Sequence, residues 1–230
     1  MASAIIGGLI HQGLPASQIE VVEPWAEARE ALRKNYGIEA QAEAGPALQR
    51  AQIVVWAVKP QTFRDAAAQA KAHTQGALHL SVAAGIRSDS IAQWLGTERI
   101  VRTMPNTPAL VGKGMSALYA RPAVSAPERQ SIEAIMATTG EFLWVDSEPQ
   151  LDAVTALSGS GPAYVFYFLE AMTRAGTGMG LTEQQAHQLA VGTFVGASEL
   201  ARRSDDPPSV LRQRVTSKGG TTYAALQSME

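Results

Sequence analysis

The chain has 230 residues, of which 46% are hydrophobic and 17% are charged, a composition typical of a globular protein and too apolar for a disordered one. Nineteen Lys and Arg against 21 Asp and Glu give a net charge of −2, which argues against nucleic acid or an anionic membrane as a partner. The absence of Cys excludes disulfides, thiolate zinc sites and cysteine nucleophiles, and it favours a cytoplasmic location.

In the first part of the chain, residues 1–146, short β-branched runs alternate with Ala-rich helical segments. This alternation predicts an α/β domain with a mostly parallel sheet. The predicted strands are 19–23, 53–58, 78–82, 100–104, 115–120 and 142–145, and the predicted helices are 26–35, 62–73, 88–95 and 127–138.

The second part, residues 147–230, shows no convincing strand and predicts four or five helices separated by Gly and Pro. Gly192 and Gly196 lie four residues apart on one helix face beside Ala197, so another helix can approach closely. Packing within the subunit and a dimer contact both explain this pattern. A helical unit of this size buries little surface alone, which favours association with a second copy.

The loops that follow parallel strands are where an α/β sheet binds its ligands. Val58-Lys59-Pro60 and Ala83-Ala84-Gly85 follow two predicted strands, and the rigid loop 104–114 follows a third, with Asn106 and Thr107 between two prolines. Glu23 ends the first predicted strand, where an acid would bind the ribose hydroxyls of an adenosine and repel a 2′-phosphate, whereas Arg29 nearby would pair with such a phosphate. We leave open which of the two applies.

Two segments further along the chain have the character of anion receptors. The segment 157–164 is rich in Ser and Gly and ends with Pro162 in the expected first turn of a helix, which predicts a loop with free N–H groups. Residues 215–222 combine hydroxyls, Lys218 and two glycines before another helix. The four histidines show no metal-ligand spacing, so no metal site is predicted.

Five of these motifs, in this order, resemble the pyrroline-5-carboxylate reductase family, which makes proline by reducing a cyclic imine with NADPH or NADH. The motifs are Val58-Lys59-Pro60, Ala83-Ala84-Gly85, 104–108, 157–164 and 215–222. The resemblance implies a Rossmann-like domain, residues 1–146, followed by an all-helical dimerisation domain, residues 147–230. It also implies a homodimer or a ring of dimers, with 1-pyrroline-5-carboxylate as the substrate.

The resemblance also implies roles for individual residues. Thr155 and Thr222 would be catalytic, and Asp205 would favour the cationic imine. The remaining substrate-binding residues would be Ser158, Gly159, Ser160, Gly161, Ser217, Gly219, Gly220, Thr221 and Thr222. The cofactor would be held by Glu23, Val58, Lys59, Pro60, Ala83, Ala84, Gly85, Met104 and Asn106.

The start of the chain departs from the family pattern. The first strand and the Gly-rich phosphate turn are absent, because Met1-Ala2-Ser3 opens directly on the helix that should follow them. We therefore expect the native chain to be longer at the N-terminus and also at the C-terminus.

Two alternatives remain at this stage. One is a hydroxy-acid dehydrogenase of similar architecture. Such enzymes usually have a catalytic Lys on a helix of the second domain, and residues 150–214 contain no Lys, which disfavours this alternative. The other is an inactive dimerisation fragment of the same family.

Overall fold

The computed structural model describes residues 1–229 and divides into two compact units, Met1–Pro162 and Ala163–Glu230. The sequence places its domain boundary earlier, between residues 146 and 147. That boundary stays a prediction, and its C-terminal limit, Glu230, lies outside the described residues.

The first unit is built on a five-stranded sheet whose spatial order follows the chain. Three of the four pairings are parallel, and the pairing of the third strand with the fourth is antiparallel. The predicted mostly parallel α/β sheet is therefore confirmed. The strands are β1 Ile53–Trp56, β2 Leu78–Ser81, β3 Ile100–Met104, β4 Gly114–Ala120 and β5 Gly140–Trp144.

Helices occupy most of the chain between these strands, and the predicted bounds agree with the observed ones to within a few residues. The predicted segment 62–73 consists of an α-helix flanked by 3₁₀ turns at Pro60–Thr62 and Lys71–His73. The α-helices that begin in this unit are α1 Ala2–His11, α2 Ala26–Tyr36, α3 Phe63–Ala70, α4 Ser88–Leu95, α5 Ala126–Ala137, α6 Gln150–Val154 and α7 Gly161–Gly178.

The strand predicted at residues 19–23 is wrong. Only Val22 is paired, in a single parallel bridge with Gln41, and neither residue belongs to the five-stranded sheet. The Glu23 N–H donates to the Gln41 carbonyl oxygen, and the Gln41 N–H donates to the Val21 carbonyl oxygen, both at 2.8 Å. A β-branched run becomes a strand only where a partner pairs along its length, and here the pairing stops after one bridge.

Apolar side chains cover both faces of the sheet. Side chains alternate along a strand, so Leu78 and Leu80 pack with α5 residues Ile132 and Met136 on one face. On the other face Trp56 packs with α3 and α4 side chains, including Phe63. β1 is apolar throughout because it contributes side chains to both faces, Val54 and Trp56 to one and Ile53 and Val55 to the other. It nevertheless lies at the edge of the sheet, and of its four residues only Trp56 is buried.

His79 interrupts this apolar pattern on β2. The Trp56 Nε1–H donates to His79 Nδ1 at 3.0 Å, and the two rings stack at 5.9 Å. Burial lowers the pKa of His79 to about 4, and the nearby charge of Arg99 acts in the same direction, although a hydrogen bond with the Thr74 backbone opposes them. The imidazole is therefore neutral in the folded protein.

The second unit is helical, as predicted, and its helices pack closely in one place. A Cβ on Gly176 would lie 2.8 Å from the Ala186 Cβ, so α7 and the next helix meet at a glycine. By contrast, within residues 1–229 no atom beyond the helix's own backbone lies within 4 Å of the Cβ positions of Gly192 and Gly196, so packing among the described residues does not account for them. The further helices are α8 Glu183–Arg203, α9 Pro208–Arg214 and α10 Thr221–Met229.

Much of the apolar surface of this unit is exposed. Aromatic rings of α7 are at least half exposed, and Leu189, Val195 and Leu200 of α8 are 60–68% exposed. None of the helices in residues 1–229 combines the length and the apolar character that crossing a bilayer requires. The exposed α7 aromatic residues are Tyr164, Phe166, Tyr167 and Phe168.

The neutral state of His79 predicts an acid-dependent loss of stability. Its pKa is depressed on folding from 6.5 to about 4, so protonation below pH 6.5 favours the unfolded chain. We expect this group alone to remove about 2 kcal/mol of unfolding free energy between pH 7 and pH 5. Urea denaturation of the wild type and of His79→Gln at both pH values measures the difference. An equal loss of stability in the two proteins would contradict the prediction.

Candidate functional site

Three predicted site segments lie at one edge of the sheet. Strands β1, β2 and β3 are adjacent and parallel, so the residues that follow them emerge on the same side. The segments are Val58-Lys59-Pro60, Ala83-Ala84-Gly85 and the loop that starts at Met104-Pro105-Asn106. This is the edge at which open α/β sheets bind nucleotides.

The middle segment, Ala83-Ala84-Gly85, has only small side chains and is partly exposed. Ala83 is buried, whereas Ala84 and Gly85 are more accessible, and no atom lies within 4 Å of the Cβ position of Gly85. Gly85 has a φ of 74°, in the left-handed region that favours glycine, so the chain turns here without a side chain rising above the edge. A flat ring or a ribose can therefore approach the backbone at this point.

Asn106 connects two parts of the structure with its side-chain amide. Its Oδ1 accepts from the Met115 N–H at 2.9 Å, at the start of β4. Its Nδ2 donates to the Ser158 carbonyl oxygen at 3.1 Å. Because both ends of the amide have protein partners, the side chain of Asn106 serves here to hold the sheet edge against the segment that contains Ser158.

The prediction for 157–164 is confirmed in one part and wrong in the other. A helix begins at Gly161 with Pro162 in its first turn, as predicted, but the residues before it are not a loop with free N–H groups. Thr155–Gly159 form a π-helical turn between α6 and α7, and the Ser160 N–H donates to the Thr155 carbonyl oxygen at 2.8 Å. Pro162 has no N–H and leaves the carbonyl of Ser158 without its usual donor four residues on, and Asn106 fills that place. Single π turns inside helices are frequent at functional sites.

Gly159 allows this turn to approach the end of β3. A Cβ at Gly159 would lie 2.6 Å from the Met104 Cε and 3.8 Å from the Thr155 Cγ2. The hydroxyls of Thr155 and Ser158 donate back to carbonyl oxygens four residues earlier, those of Leu151 and Val154. Thr155, Ser158, Gly159, Met104 and Asn106 are therefore neighbours, as a shared site would require.

The predictions from sequence missed a buried carboxylate beside this site. Glu148 accepts from the Ser88 N–H at 2.5 Å, from the Ser88 hydroxyl at 2.8 Å and from Arg102 Nη1 at 2.7 Å. The Arg102 and Glu148 side chains are 7% and 11% exposed. A charged residue in the apolar strand 100–104 is the signal that could have revealed the pair, because a buried guanidinium needs an acidic partner.

The ionisation of Glu148 follows from these contacts. Burial acts to raise the pKa of its carboxyl, but the Ser88 N–H, the Arg102 guanidinium and the Ser88 hydroxyl together hold that pKa below the usual glutamate value. Glu148 is therefore an anion at neutral pH, and the pair with Arg102 is ionic.

Glu23 and Arg29 lie at the start of α2. The Glu23 Oε1 accepts from the Trp25 N–H at 3.0 Å. Arg29 Nη1 donates to the carbonyl oxygens of Glu23 and Pro24 at 2.9 and 2.7 Å. The structure thus presents both a carboxylate and a guanidinium at this turn, and the choice between NADH and NADPH stays open.

The second unit carries the remaining predicted residues. Gly219 has a φ of 76°, and the Gly220 N–H donates to the Ser217 carbonyl oxygen at 3.0 Å, which forms a tight turn into α10. Thr221 and Thr222 are the first residues of α10, where N–H groups have no partner within the helix. Asp205 is exposed, whereas its neighbour Asp206 pairs with Arg214 at 2.7 Å.

No group of three or more His, Asp or Glu side chains within residues 1–229 is arranged to hold a metal ion. The chain contains no Cys.

Two family models match the chain. Residues 148–230 match the model described as pyrroline-5-carboxylate reductase dimerisation. Residues 1–85 match the model described as NADP oxidoreductase, coenzyme F420-dependent.

Relatives match over nearly the whole chain. Pyrroline-5-carboxylate reductase of Pseudomonas aeruginosa is 44% identical over 232 residues, which cover all of this chain and 85% of the relative. The structure of the Coxiella burnetii pyrroline-5-carboxylate reductase superposes with a TM-score of 0.89 at 35% identity, over 99% of this chain and 86% of the other. The Plasmodium falciparum pyrroline carboxylate reductase, solved with NADP bound, has a TM-score of 0.88 at 28% identity, over 99% and 84%.

The contact between Gly159 and Met104 yields a structural prediction. In Gly159→Ala the new methyl group displaces the Met104 thioether, because a separation of 2.6 Å between two carbon atoms is too short for a van der Waals contact. We expect the methyl resonance of Met104 to shift in a spectrum of methyl-labelled methionine. Gly178→Ala, whose Cβ meets no atom within 4 Å, is the matched control and should leave that resonance in place. An unshifted Met104 signal in Gly159→Ala would show that the two segments are not in contact.

Proposed function

The chain belongs to the pyrroline-5-carboxylate reductase family, and we infer that it catalyses the NAD(P)H-dependent reduction of 1-pyrroline-5-carboxylate to L-proline. The observation that carries this conclusion is 44% identity to a relative of that name over the whole length of this chain. The Rossmann-like sheet and the match to an NADP oxidoreductase model agree with it.

The residues at the sheet edge suit a nicotinamide cofactor. The cofactor supplies a hydride when bound. We propose that Val58, Lys59 and Pro60 and the segment Ala83-Ala84-Gly85 both contact the cofactor. The small side chains of Ala83-Ala84-Gly85 leave room for the cofactor to approach the backbone. Glu23, Met104 and Asn106 complete the proposed cofactor-binding set. Asn106 acts in this set by fixing the loop, since both ends of its amide are occupied within the protein.

The turn before α10 suits the carboxylate of the substrate. Its proposed receptor is the set of N–H groups at the start of α10 together with the hydroxyls of Ser217, Thr221 and Thr222, with Gly219 and Gly220 shaping the turn. A carboxylate is favoured at a helix N-terminus because backbone N–H groups and the helix dipole both point at it.

The π turn suits the ring of the substrate. We propose that Thr155 lies near the imine nitrogen and that Ser158, Gly159, Ser160 and Gly161 shape the pocket around the ring. Asp205 would favour the cationic form of the imine, which is the better hydride acceptor. Because that cation is already reactive, the protein needs no strong general base, and its main contribution is to hold the two reacting carbons close together.

Family membership also bears on the assembly and the location of the protein. Exposed α7 aromatic rings and the open face around Gly192 and Gly196 support self-association, as does the match to a dimerisation model. We propose a homodimer, or a ring of such dimers, in the cytoplasm.

Turnover tests the proposed function directly. The purified chain is mixed with 1-pyrroline-5-carboxylate and either NADPH or NADH, and the loss of nicotinamide absorbance is followed together with the appearance of proline. Thr222→Ala removes one proposed hydroxyl donor to a charged group, worth about 1.5–3 kcal/mol, so we expect KM to rise roughly tenfold or more.

Thr193→Ala is the matched control for this substitution. Thr193 is exposed on α8, and its hydroxyl donates to the Leu189 carbonyl oxygen of the same helix. We expect its KM to equal that of the wild type. Wild-type protein that consumes neither cofactor would contradict the proposed function, and an unchanged KM in Thr222→Ala would remove Thr222 from the substrate site.

The proposed dimer yields a second prediction. Gly192→Leu places a large side chain on an open face, where the described part of the chain brings no atom outside the helix backbone within 4 Å of the Cβ position. The fold should therefore be kept and association weakened. Sedimentation velocity should show the wild type as a dimer or larger and the variant shifted towards the monomer. Ala201→Leu, an exposed position on the opposite side of α8, is the control. Equal sedimentation of Gly192→Leu and wild type would contradict this placement of the interface.

A further inference from the structure

The buried carboxylate of Glu148 joins three segments of the first unit. It accepts two hydrogen bonds from Ser88 at the first residue of α4, at 2.5 and 2.8 Å, and one from Arg102 on β3, at 2.7 Å. Glu148 itself lies just before α6. Arg121 approaches the same cluster, since its Nη1 donates to the Ser88 hydroxyl at 3.0 Å.

Each of the three residues lies close in the chain to a segment of the proposed site. Ser88 follows Gly85 by three residues, and Arg102 precedes Met104 by two. Glu148 precedes the π turn, which begins at Thr155, by seven residues, most of which form the rigid helix α6. The carboxylate of Glu148 therefore holds residues next to three parts of the proposed site. These are the cofactor segment Ala83-Ala84-Gly85, the loop that starts at Met104, and the π turn Thr155–Gly159.

Stability alone explains this cluster poorly. Removing two charges from water costs several kcal/mol each, and well-packed apolar residues in place of a buried ion pair are often as stable or more so. Moreover, Arg102 Nε is buried without a hydrogen-bond partner in the part of the chain that the structure describes. A buried ion pair of this kind is therefore weak evidence for a role in stability.

The hydrogen bonds of Glu148 constrain the relative orientation of the segments that they join, which apolar contacts do not do. Two carboxylate oxygens with three donors fix the angle and the distance between α4, β3 and α6 to within hydrogen-bond tolerance. Hydride transfer depends steeply on such distances, because a displacement of about 1 Å can cost roughly a hundredfold in rate.

We propose that Glu148 and Arg102 are positioning residues for the reduction. Glu148 holds Ser88, and Arg102 holds Glu148. Together they set the separation between the cofactor segment Ala83-Ala84-Gly85 and the π turn that carries Thr155. This inference rests on the proposed function, since it assigns this clamp of Ser88, Glu148 and Arg102 a role in the same reaction.

The test compares an apolar replacement of the pair with a matched control. In the double variant Arg102→Leu with Glu148→Leu, we expect the free energy of unfolding to stay near that of the wild type while kcat falls roughly tenfold to a hundredfold. KM for the imine should change much less, because the clamp touches no substrate. Glu148→Gln should also lose kcat, with a loss of stability.

Glu128→Gln is the control. Glu128 has the same kinds of partner as Glu148, since it accepts from the N–H and hydroxyl of a serine, Ser125, both at 2.7 Å, and from an arginine, Arg99, at 2.6 Å. It caps α5 rather than α4, and no segment of the proposed site begins beside it. We expect Glu128→Gln to lose stability and to keep the kcat of the wild type.

Hydrogen exchange supplies a readout that does not depend on turnover. The amides of residues 83–88 and 155–160 should exchange faster in the apolar double variant than in the wild type, while those of β3 and β4 stay protected. If the wild type itself shows no turnover, the proposed function fails, and the exchange of these two segments still decides whether the clamp holds them.

Several outcomes would overturn the proposal. A double variant as stable as the wild type and with the same kcat would show that the pair has no positioning role, as would unchanged exchange in both segments. Should the double variant not fold, Glu148→Asp takes its place, because it keeps the charge and shortens the reach. An undiminished kcat in a folded Glu148→Asp protein would likewise reject the clamp.

Discussion

The carbonyl oxygen of Ser158 is the point on which the arrangement of the site depends. Pro162 lacks an N–H and cannot donate to that carbonyl, so a partly buried acceptor would be left unpaired within the helical run. Asn106 supplies the donor at 3.1 Å and, with its other end, pairs the Met115 N–H. A constraint within one helix thus selects an amide from a distant loop and fixes the loop beside the π turn.

A second connection runs from Glu148 to Ser88 and Arg102, which lie close in the chain to Gly85 and Met104 of the proposed site. The two connections differ in chemistry, since one is a neutral amide bridge and the other a buried ion pair. Together they connect the carboxyl ends of neighbouring parallel strands to α6 and the turn after it. Such rigidity suits a reaction in which the protein has little acid or base chemistry to perform and must chiefly hold two carbons at a set distance.

The second unit differs from the first in how little of its apolar surface it buries by itself. It has few buried side chains of its own, among them Ala186 and Ala190, while large rings on α7 stay exposed. A unit of this size gains too little from its own apolar burial to be robust, so a surface that a second copy can cover contributes to its stability as well as to its assembly. Stability and oligomeric state are coupled in that case.

Apolar periodicity together with Gly and Pro positions was enough to predict the fold class and most element bounds, because these signals are local, and the ordered motifs were enough to predict the family. The local signals misplaced a strand at residues 19–23 and a loop at 157–164. At 19–23 the pairing stops after the single bridge with Gln41, and at 157–164 the chain stays helical while Asn106, distant in the sequence, pairs the Ser158 carbonyl. The pairing of Glu148 with Arg102 could not be predicted from residue types alone. The two residues lie 46 positions apart in the chain, and only the folded structure brings them together and buries both side chains.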